Sequence, residues 1–337
     1  MSKRIFKGRL LRWVRFRTTG RAALLLALPA ALYGCQAARE QPAPPILFDT
    51  HSHFFSDDIA RYPIDTTGAK EGAEALRQRV MAKPSTPENI LALWSANNLE
   101  GGTGVQYNST YKTDNSYLIE SADAHPARIS AVVILDARDA ETPAKLRKLV
   151  EQHGVRGIRL TGYPLKNGSY PWLDSPEALR TWQEADRLGI SIVIMYLPGS
   201  PSAEALGHIA ALSDRYRNVK IVLDHVGWPG IEGAPGYGLT PAHVALHTHP
   251  NVYMKFTTIN LNNLDKGHVP SAEFVRHVVD VFGADHVMWG SDYGNTGGQF
   301  SDMARRAVEA TRLLNPTERK SVLHDTGRTI FPPPGDR

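Results

Sequence analysis

Cysteine occurs once in the 337 residues, as Cys35. A single thiol excludes disulfides within the chain and any metal site built on paired cysteines. Neither a G-x-G-x-x-G stretch after an early strand nor a Walker-type glycine loop is present, which argues against dinucleotide and P-loop nucleotide binding. A basic surface for nucleic acid is also lacking, despite a formal charge of +4. Eight of the 38 Lys/Arg fall within residues 1–34, which contain no acid, so the other 30 face 34 acids and the remainder carries −4. The one long apolar run, AALLLALPAALYG, is too short for a comfortable membrane span. No internal repeat or low-complexity tract stands out.

What is present begins with a leader. Residues 1–34 have the layout of a secretory signal, a cationic start followed by that apolar run. The string LYGCQ resembles a bacterial lipobox, which makes Cys35 the expected lipidation site. Residues 35–45 are then the lipidated cysteine and a polar, proline-containing tether. The expected location is the bacterial cell envelope, on the periplasmic face, with the lipid as the only membrane contact.

From residue 46 to 332 the pattern is α/β. Strands are expected at 46–50, about 101–107, 129–136, 155–162, 190–196, 220–226, 251–258 and 286–291. Helical patterns fall at 88–98, 114–125, 141–152, 175–188, 202–215, 239–247, 272–282 and 301–314. This alternation predicts a (β/α)8 TIM barrel rather than an open doubly wound sheet. EGGTGVQY is the weakest strand because of its glycines. Residues 56–87 show little periodicity and are expected to form a long loop over the barrel mouth.

In such barrels chemistry gathers at the carboxyl ends of strands. The stretch ILFDTHSHF ends the first strand with His51 and His53, which share a face as i and i+2. KIVLDHVG ends in His225 and HVMWGSDYG places Asp292 after the eighth strand. In VRGIRLTG, Ile158 and Leu160 share a face with Arg156, so Arg159 is the candidate for the interior. In NVYMKFTTI the alternation makes Lys255 a second interior cation. Each residue has a structural alternative: His225 as a core histidine, Asp292 as a turn cap, and Arg159 paired with Asp224. Four strand ends carrying His, His, Asp and Arg are better explained together as a site.

DTHSHF, IVLDHVG and VMWGSDYG resemble the first, sixth and eighth strand motifs of the amidohydrolase superfamily, most closely its amidohydrolase-2 branch. That branch includes 2-pyrone-4,6-dicarboxylate lactonases, sugar lactonases and decarboxylases. YKTDNSYLIESADAHPARISAVVILD, NVYMKFT and NPTERKSVLHDTGRTIFP extend the resemblance across 46–332. The departure lies in the fifth strand. Metal-dependent members carry a histidine there, whereas GISIVIMYLPG offers Met195 and Tyr196, and a thioether is a poor ligand for a borderline divalent ion.

The resemblance therefore implies a hydrolase acting on a lactone or related ester of a carboxylated or sugar-like small molecule. Asp292 would activate water, while His51, His53 and His225 polarise the carbonyl, with no cofactor required. Arg159, with Lys255 or Arg156, would bind the substrate carboxylate or hydroxyls, and Tyr196 and Tyr62 would orient it. The alternatives are a zinc-dependent hydrolase or decarboxylase, with one divalent ion on His51, His53 and Asp292, and a non-catalytic anchored binding barrel.

Overall fold

The computed structural model describes residues 44–69, 71–196 and 202–336. The leader and Cys35 lie outside the described residues. Eight parallel strands run in the order of the chain: β1 Leu47–Ser52, β2 Leu99–Val105, β3 Ile129–Ile134, β4 Gly157–Gly162, β5 Ser191–Tyr196, β6 Lys220–Asp224, β7 Val252–Thr257 and β8 Val287–Gly290. The curved sheet closes just beyond β8, where Ser52 bridges Tyr293 and Asp292 N donates to His51 O at 2.7 Å. The barrel expectation therefore holds, and the closing contacts are made by the residues that carry the candidate chemistry.

Alternation along the strands explains both layers. Ile158, Leu160, Ile192, Ile194, Val252, Met254 and Phe256 pack outward into the core shared with the helices. Phe48, Val105, Val132, Val193, Val222 and Met288 fill the barrel, and Ile330 and Phe331 of the C-terminal segment join them. Helices start where expected from their caps: Ser175 Oγ accepts from Ala178 N, with Pro176 next, and Thr86 caps Pro87–Ala96 in the same way.

The glycines that weaken β2 as a sequence prediction serve close packing. A Cβ on Gly102 would lie 2.5 Å from Asp49 O, and one on Gly104 would lie 2.4 Å from Leu118 Cδ1. Only a bare backbone lets β2 sit this close to its neighbours.

Three expectations are corrected. Residues 56–87 are not one irregular loop, because Ala73–Ala82 is helical and buries Leu76 and Val80. These pack with Phe55, Tyr62, Ile64 and Tyr111 as a small separate core. Two buried positions in an otherwise polar segment give too weak a stripe to read. The helix expected at 239–247 is α-helical only over Pro241–Ala245 and continues as a 3-10 turn, Leu246–Thr248, and an unanticipated helix, Thr258–Lys266, follows β7 at once, capped by Thr257 and Asn260.

Candidate active site

Asp49 fixes the ends of β1 and β8 to each other. Its carboxylate accepts from His51 N at 3.0 Å and Ser52 Oγ at 2.6 Å. From the other side it accepts Ser291 N at 2.7 Å and Ser291 Oγ at 2.6 Å. Four donors satisfy a wholly buried carboxylate and hold His51, His53 and Asp292 in register.

Around this root the three histidines and Asp292 meet. His53 Nε2 lies 3.3 Å and His51 Nε2 3.6 Å from Asp292 Oδ1. The His51 and His53 ring centroids are 4.9 Å apart, and those of His51 and His225 are 5.4 Å apart. Each ring turns its other nitrogen to a fixed partner. His53 Nδ1 is 2.7 Å from Val105 O, His225 Nδ1 is 2.7 Å from Thr257 Oγ1, and His51 Nδ1 faces Asp224 Oδ1 at 3.3 Å.

Those partners decide the tautomers. A carbonyl and a carboxylate only accept, and Thr257 directs its hydroxyl hydrogen toward Asn260 Oδ1 at 3.5 Å. Nδ1 therefore carries a hydrogen in all three rings, and in neutral His51 and His225 Nε2 carries a lone pair. His51 Nε2 and Asp292 Oδ1 have no hydrogen-bond partner among the described residues. Lone pairs facing a carboxylate oxygen in a buried space call for a cation. Donor atoms of His51, His225 and Asp292 lie within 4.8 Å of one another, so two imidazoles and a carboxylate fit a divalent ion. The donor set that converges here is His51, His225 and Asp292, with His53 Nε2 beside it at 3.3 Å from Asp292 Oδ1.

The backbone bends sharply to make this arrangement. His225, Val226, Gly227 and Trp228 all have left-handed φ, at 56°, 56°, 65° and 60°, and Asp292 has φ 58°. A β-branched residue such as Val226 rarely adopts this conformation, which persists only where its surroundings enforce it. Asn260 Nδ2 donates to His225 O at 2.9 Å, and His243 Nε2 lies 2.9 Å from Gly227 O.

Asp224 is a second buried hub. Arg159 Nη2 lies 2.9 Å from its Oδ2, and Lys255 Nζ lies 3.0 Å from its Oδ1, the oxygen that also faces His51. Burial would raise the Asp224 pKa, but Lys255, His51 and Arg159 hold it well below the usual carboxylate range. Burial would raise the Asp292 pKa too, but contact with His53 holds it well below that range. Burial pushes His51 down to about 3 against the pull of Asp224, and His225 down to about 4 against Asp292 and Asp224. An ionised Asp292 beside neutral His51 and His225 is the state at neutral pH.

That state makes the fold acid-sensitive. Unfolding returns both histidines to about 6.5, so below that pH the unfolded chain binds more protons than the native one. The stability they confer is complete above about pH 6.5 and is lost as pH falls toward about 4 and then 3. Urea unfolding should give level stability from pH 7 to 8 and a steady decline from 6.5 to 4.5, shallower in His225→Asn. Equal stability at pH 7 and 4.5 would sink this assignment.

Other expected site residues lie elsewhere. Lys255 is wholly buried against Asp224 and stands 5.3 Å from the Phe331 ring centroid, so it faces the barrel interior rather than a ligand. Arg156 donates to Pro332 O at 2.7 Å, tying the C-terminal segment to the residue just before β4, at the opposite end of the barrel. Tyr196 lies in the outer core and donates to Ala205 O at 3.0 Å. Tyr62 donates to Glu120 at 2.6 Å. Arg159 does face inward and is 3% exposed, but Asp224 already engages it. Its Nη2 also lies 2.7 Å from Met195 Sδ, so the fifth-strand methionine contacts the interior arginine. A polar cavity of about 210 Å³ opens beside Arg159, lined also by Asn108, Arg138, Thr161 and Trp172.

Asp49, Asp224, Asn295 and Thr296 were not read from the sequence as site residues. Asp224 precedes His225, and strict alternation sends neighbours to opposite faces. Both turn inward because β6 ends at Asp224 and the left-handed turn begins at once. Asn295 Nδ2 donates to Asp292 Oδ2 at 2.9 Å and Thr296 Oγ1 donates to it at 2.5 Å.

A closed eight-stranded barrel with histidines and an aspartate at its carboxyl end is the arrangement of an enzyme of the barrel class. The amidohydrolase family pattern matches residues 48–332, and the chain belongs to that family, as a lactonase-like member. It is 26% identical over 221 residues to an L-fucono-1,5-lactonase of Burkholderia ambifaria, covering 64% of this chain and 73% of that one. A Pseudomonas putida structure provisionally assigned as a 2-pyrone-4,6-dicarboxylic acid hydrolase shares the fold with TM-score 0.63 and 23% identity. That likeness covers 86% of this chain and 98% of the other. An amidohydrolase from Burkholderia multivorans with bound zinc superposes with TM-score 0.61 and 18% identity, over 85% of this chain and 100% of its own.

Proposed function

We propose that the protein hydrolyses a lactone or closely related ester of a small carboxylated or hydroxyl-rich molecule. The observation that carries this reading is the placement of Asp292, with Oδ2 held by two donors and Oδ1 turned toward the imidazoles of His51 and His53. Oδ1 is the basic atom left to accept a proton from water as it attacks the carbonyl, and to return that proton to the leaving oxygen. His53 Nε2 lies 3.3 Å from the same oxygen and borders that path.

The tautomers change one expected role. With lone pairs on their Nε2 atoms, neutral His51 and His225 do not donate to a carbonyl oxygen, so polarisation beside them needs positive charge in the cluster. A divalent ion held by His51, His225 and Asp292 would supply it, as a Lewis acid that also acidifies bound water. Asp224 orients His51 and keeps its Nε2 free. A lactone or ester is more easily attacked than an amide, which suits a cluster with one such site.

The test is a panel of lactones and carboxylated esters, assayed before and after chelation, with metal content measured on the same sample. Turnover that is lost on chelation and restored by zinc or manganese is expected. Absence of turnover across the panel with either ion supplied would remove the hydrolase reading of this site.

Arg159 borders the polar cavity with one edge while Asp224 holds Nε and Nη2. Its Nη1, whose contact with Gln106 O is long at 3.4 Å, is the part able to turn to a substrate anion. Arg159→Met should raise KM about tenfold or more for carboxylated substrates and less for neutral ones, as expected when a charge-assisted contact is lost. Equal losses for both would make Arg159 solely the partner of Asp224.

A further inference from the structure

The eighth strand is followed by SDYGNTGG, in which Asn295 and Thr296 stand three and four residues beyond Asp292. Both side chains converge on one carboxylate oxygen, Asp292 Oδ2, at 2.9 and 2.5 Å. Since that oxygen only accepts, Asn295 must offer it the amide nitrogen, which turns its carbonyl the other way. There it meets Tyr107 Oη at 2.8 Å, so the phenol donates. The phenol oxygen in turn faces Arg79 Nη2 at 3.3 Å. Every hydrogen in the series Arg79, Tyr107, Asn295 points toward Asp292.

The rest of the packing fixes the same series. Tyr107 follows β2, and its ring lies 4.8 Å from that of His53. Burial raises its pKa, in keeping with a phenol that stays a donor. Arg79 belongs to the helix Ala73–Ala82, is paired with Glu71 at 2.7 Å and also donates to Gly294 O. The unanticipated helix is thereby tied to the turn that carries the base.

We propose that Asn295, Thr296 and Tyr107 are positioning residues for Asp292, and that Arg79 extends their donor chain to the helix Ala73–Ala82. This rests on the reading of Asp292 as proton acceptor. Two donors engage Oδ2 and leave Oδ1 as the atom that meets water. The chain also fixes the plane of the carboxylate against His51 and His53. The helix is then part of the catalytic framework rather than a cover over the mouth.

The test separates the hydroxyls from the bulk of their side chains. Thr296→Val and Tyr107→Phe keep volume and remove one donor each, and Thr296→Ser restores a hydroxyl. On a substrate turned over by the wild type, each of the first two should lower kcat about tenfold, the scale of one hydrogen bond to a charged group, with KM within about twofold. Thr296→Ser should recover most of the loss, and Arg79→Gln should show a smaller effect of the same kind. Side-chain amide resonances of Asn295, identified by their absence in Asn295→Ala, report the chain without any turnover. They should move in Tyr107→Phe and in Asp292→Asn. If those resonances stay in place in Tyr107→Phe, the donor chain does not exist, whatever the substrate panel shows. If they move while kcat in Thr296→Val matches the wild type, the chain exists but does not position the base, and the proposal is overturned. If the wild type turns over nothing, the hydrolase reading fails separately, and the resonances alone decide the chain.

Discussion

Asp292→Asn is expected to lower kcat by about 10²–10⁴, the range for loss of a general base, with the fold intact. An amide at this position suits its neighbours. Its carbonyl oxygen can accept from Asn295 and Thr296 in place of Oδ2. Its NH2 then faces the Nε2 lone pair of His51, so that nitrogen gains a partner. What it cannot do is take a proton. Divalent ion binding should weaken as well, because an anionic donor becomes neutral. The control is His225→Asn, which removes one imidazole donor but leaves the base. The pH profile distinguishes the two. Asp292 stays ionised well below the usual carboxylate range, so activity lost on acidification toward about pH 4 follows protonation of His225. His225→Asn should remove that limb, and the residual activity of Asp292→Asn should keep it, displaced to lower pH because Asp292 no longer draws a proton to His225. Near wild-type kcat in Asp292→Asn on a genuine substrate would show that the proton goes elsewhere.

The alternation of apolar runs made the barrel legible, because strands buried on both faces and amphipathic helices have different periods. The same rule placed Arg159 correctly, with Ile158 and Leu160 on the helix side. It failed at Asp224, where the strand ends and the next residue enters a left-handed turn. Tyr196, which the resemblance suggested as an orienting hydroxyl, instead packs outward with Tyr170 and Trp172. Lys255 was rightly expected inside the barrel, but its distance from the mouth depends on depth along the strand, which periodicity does not encode. Asn295 and Thr296 act through a turn whose geometry follows from Asp292 at φ 58°, and a string such as GNTGG does not reveal it.

Asp224→Asn is expected to cost about 3–5 kcal/mol of stability, the scale for breaking a buried ion pair by removing one partner. The carboxylate lies between Arg159 at 2.9 Å and Lys255 at 3.0 Å, and all three side chains are excluded from solvent. Removing the negative charge leaves two buried cations with no anion to offset them. Lys255 is the weaker partner to keep charged, since burial already lowers its pKa against the pull of Asp224. In the variant it should lose its proton, and stability should then depend on pH near neutrality in a way the wild type does not show. Lys255→Met in the same background removes the stranded cation and should recover a large part of the loss. Lys255→Met alone leaves Asp224 to Arg159 and should cost less than Asp224→Asn. Activity follows a separate logic. The amide keeps a single acceptor oxygen, which Arg159 claims with two donors, so His51 faces an NH2 instead of an acceptor. The His51 Nε2 is then no longer reliably free, and a loss of about 10–100-fold in metal affinity or turnover is expected. The double variant should regain stability but not that activity, because the methionine offers His51 nothing to bond. Urea unfolding and divalent-ion titration on the three variants separate the two roles. If the double variant recovers both stability and metal affinity, Asp224 serves only to neutralise the buried cations, and His51 is oriented by other contacts.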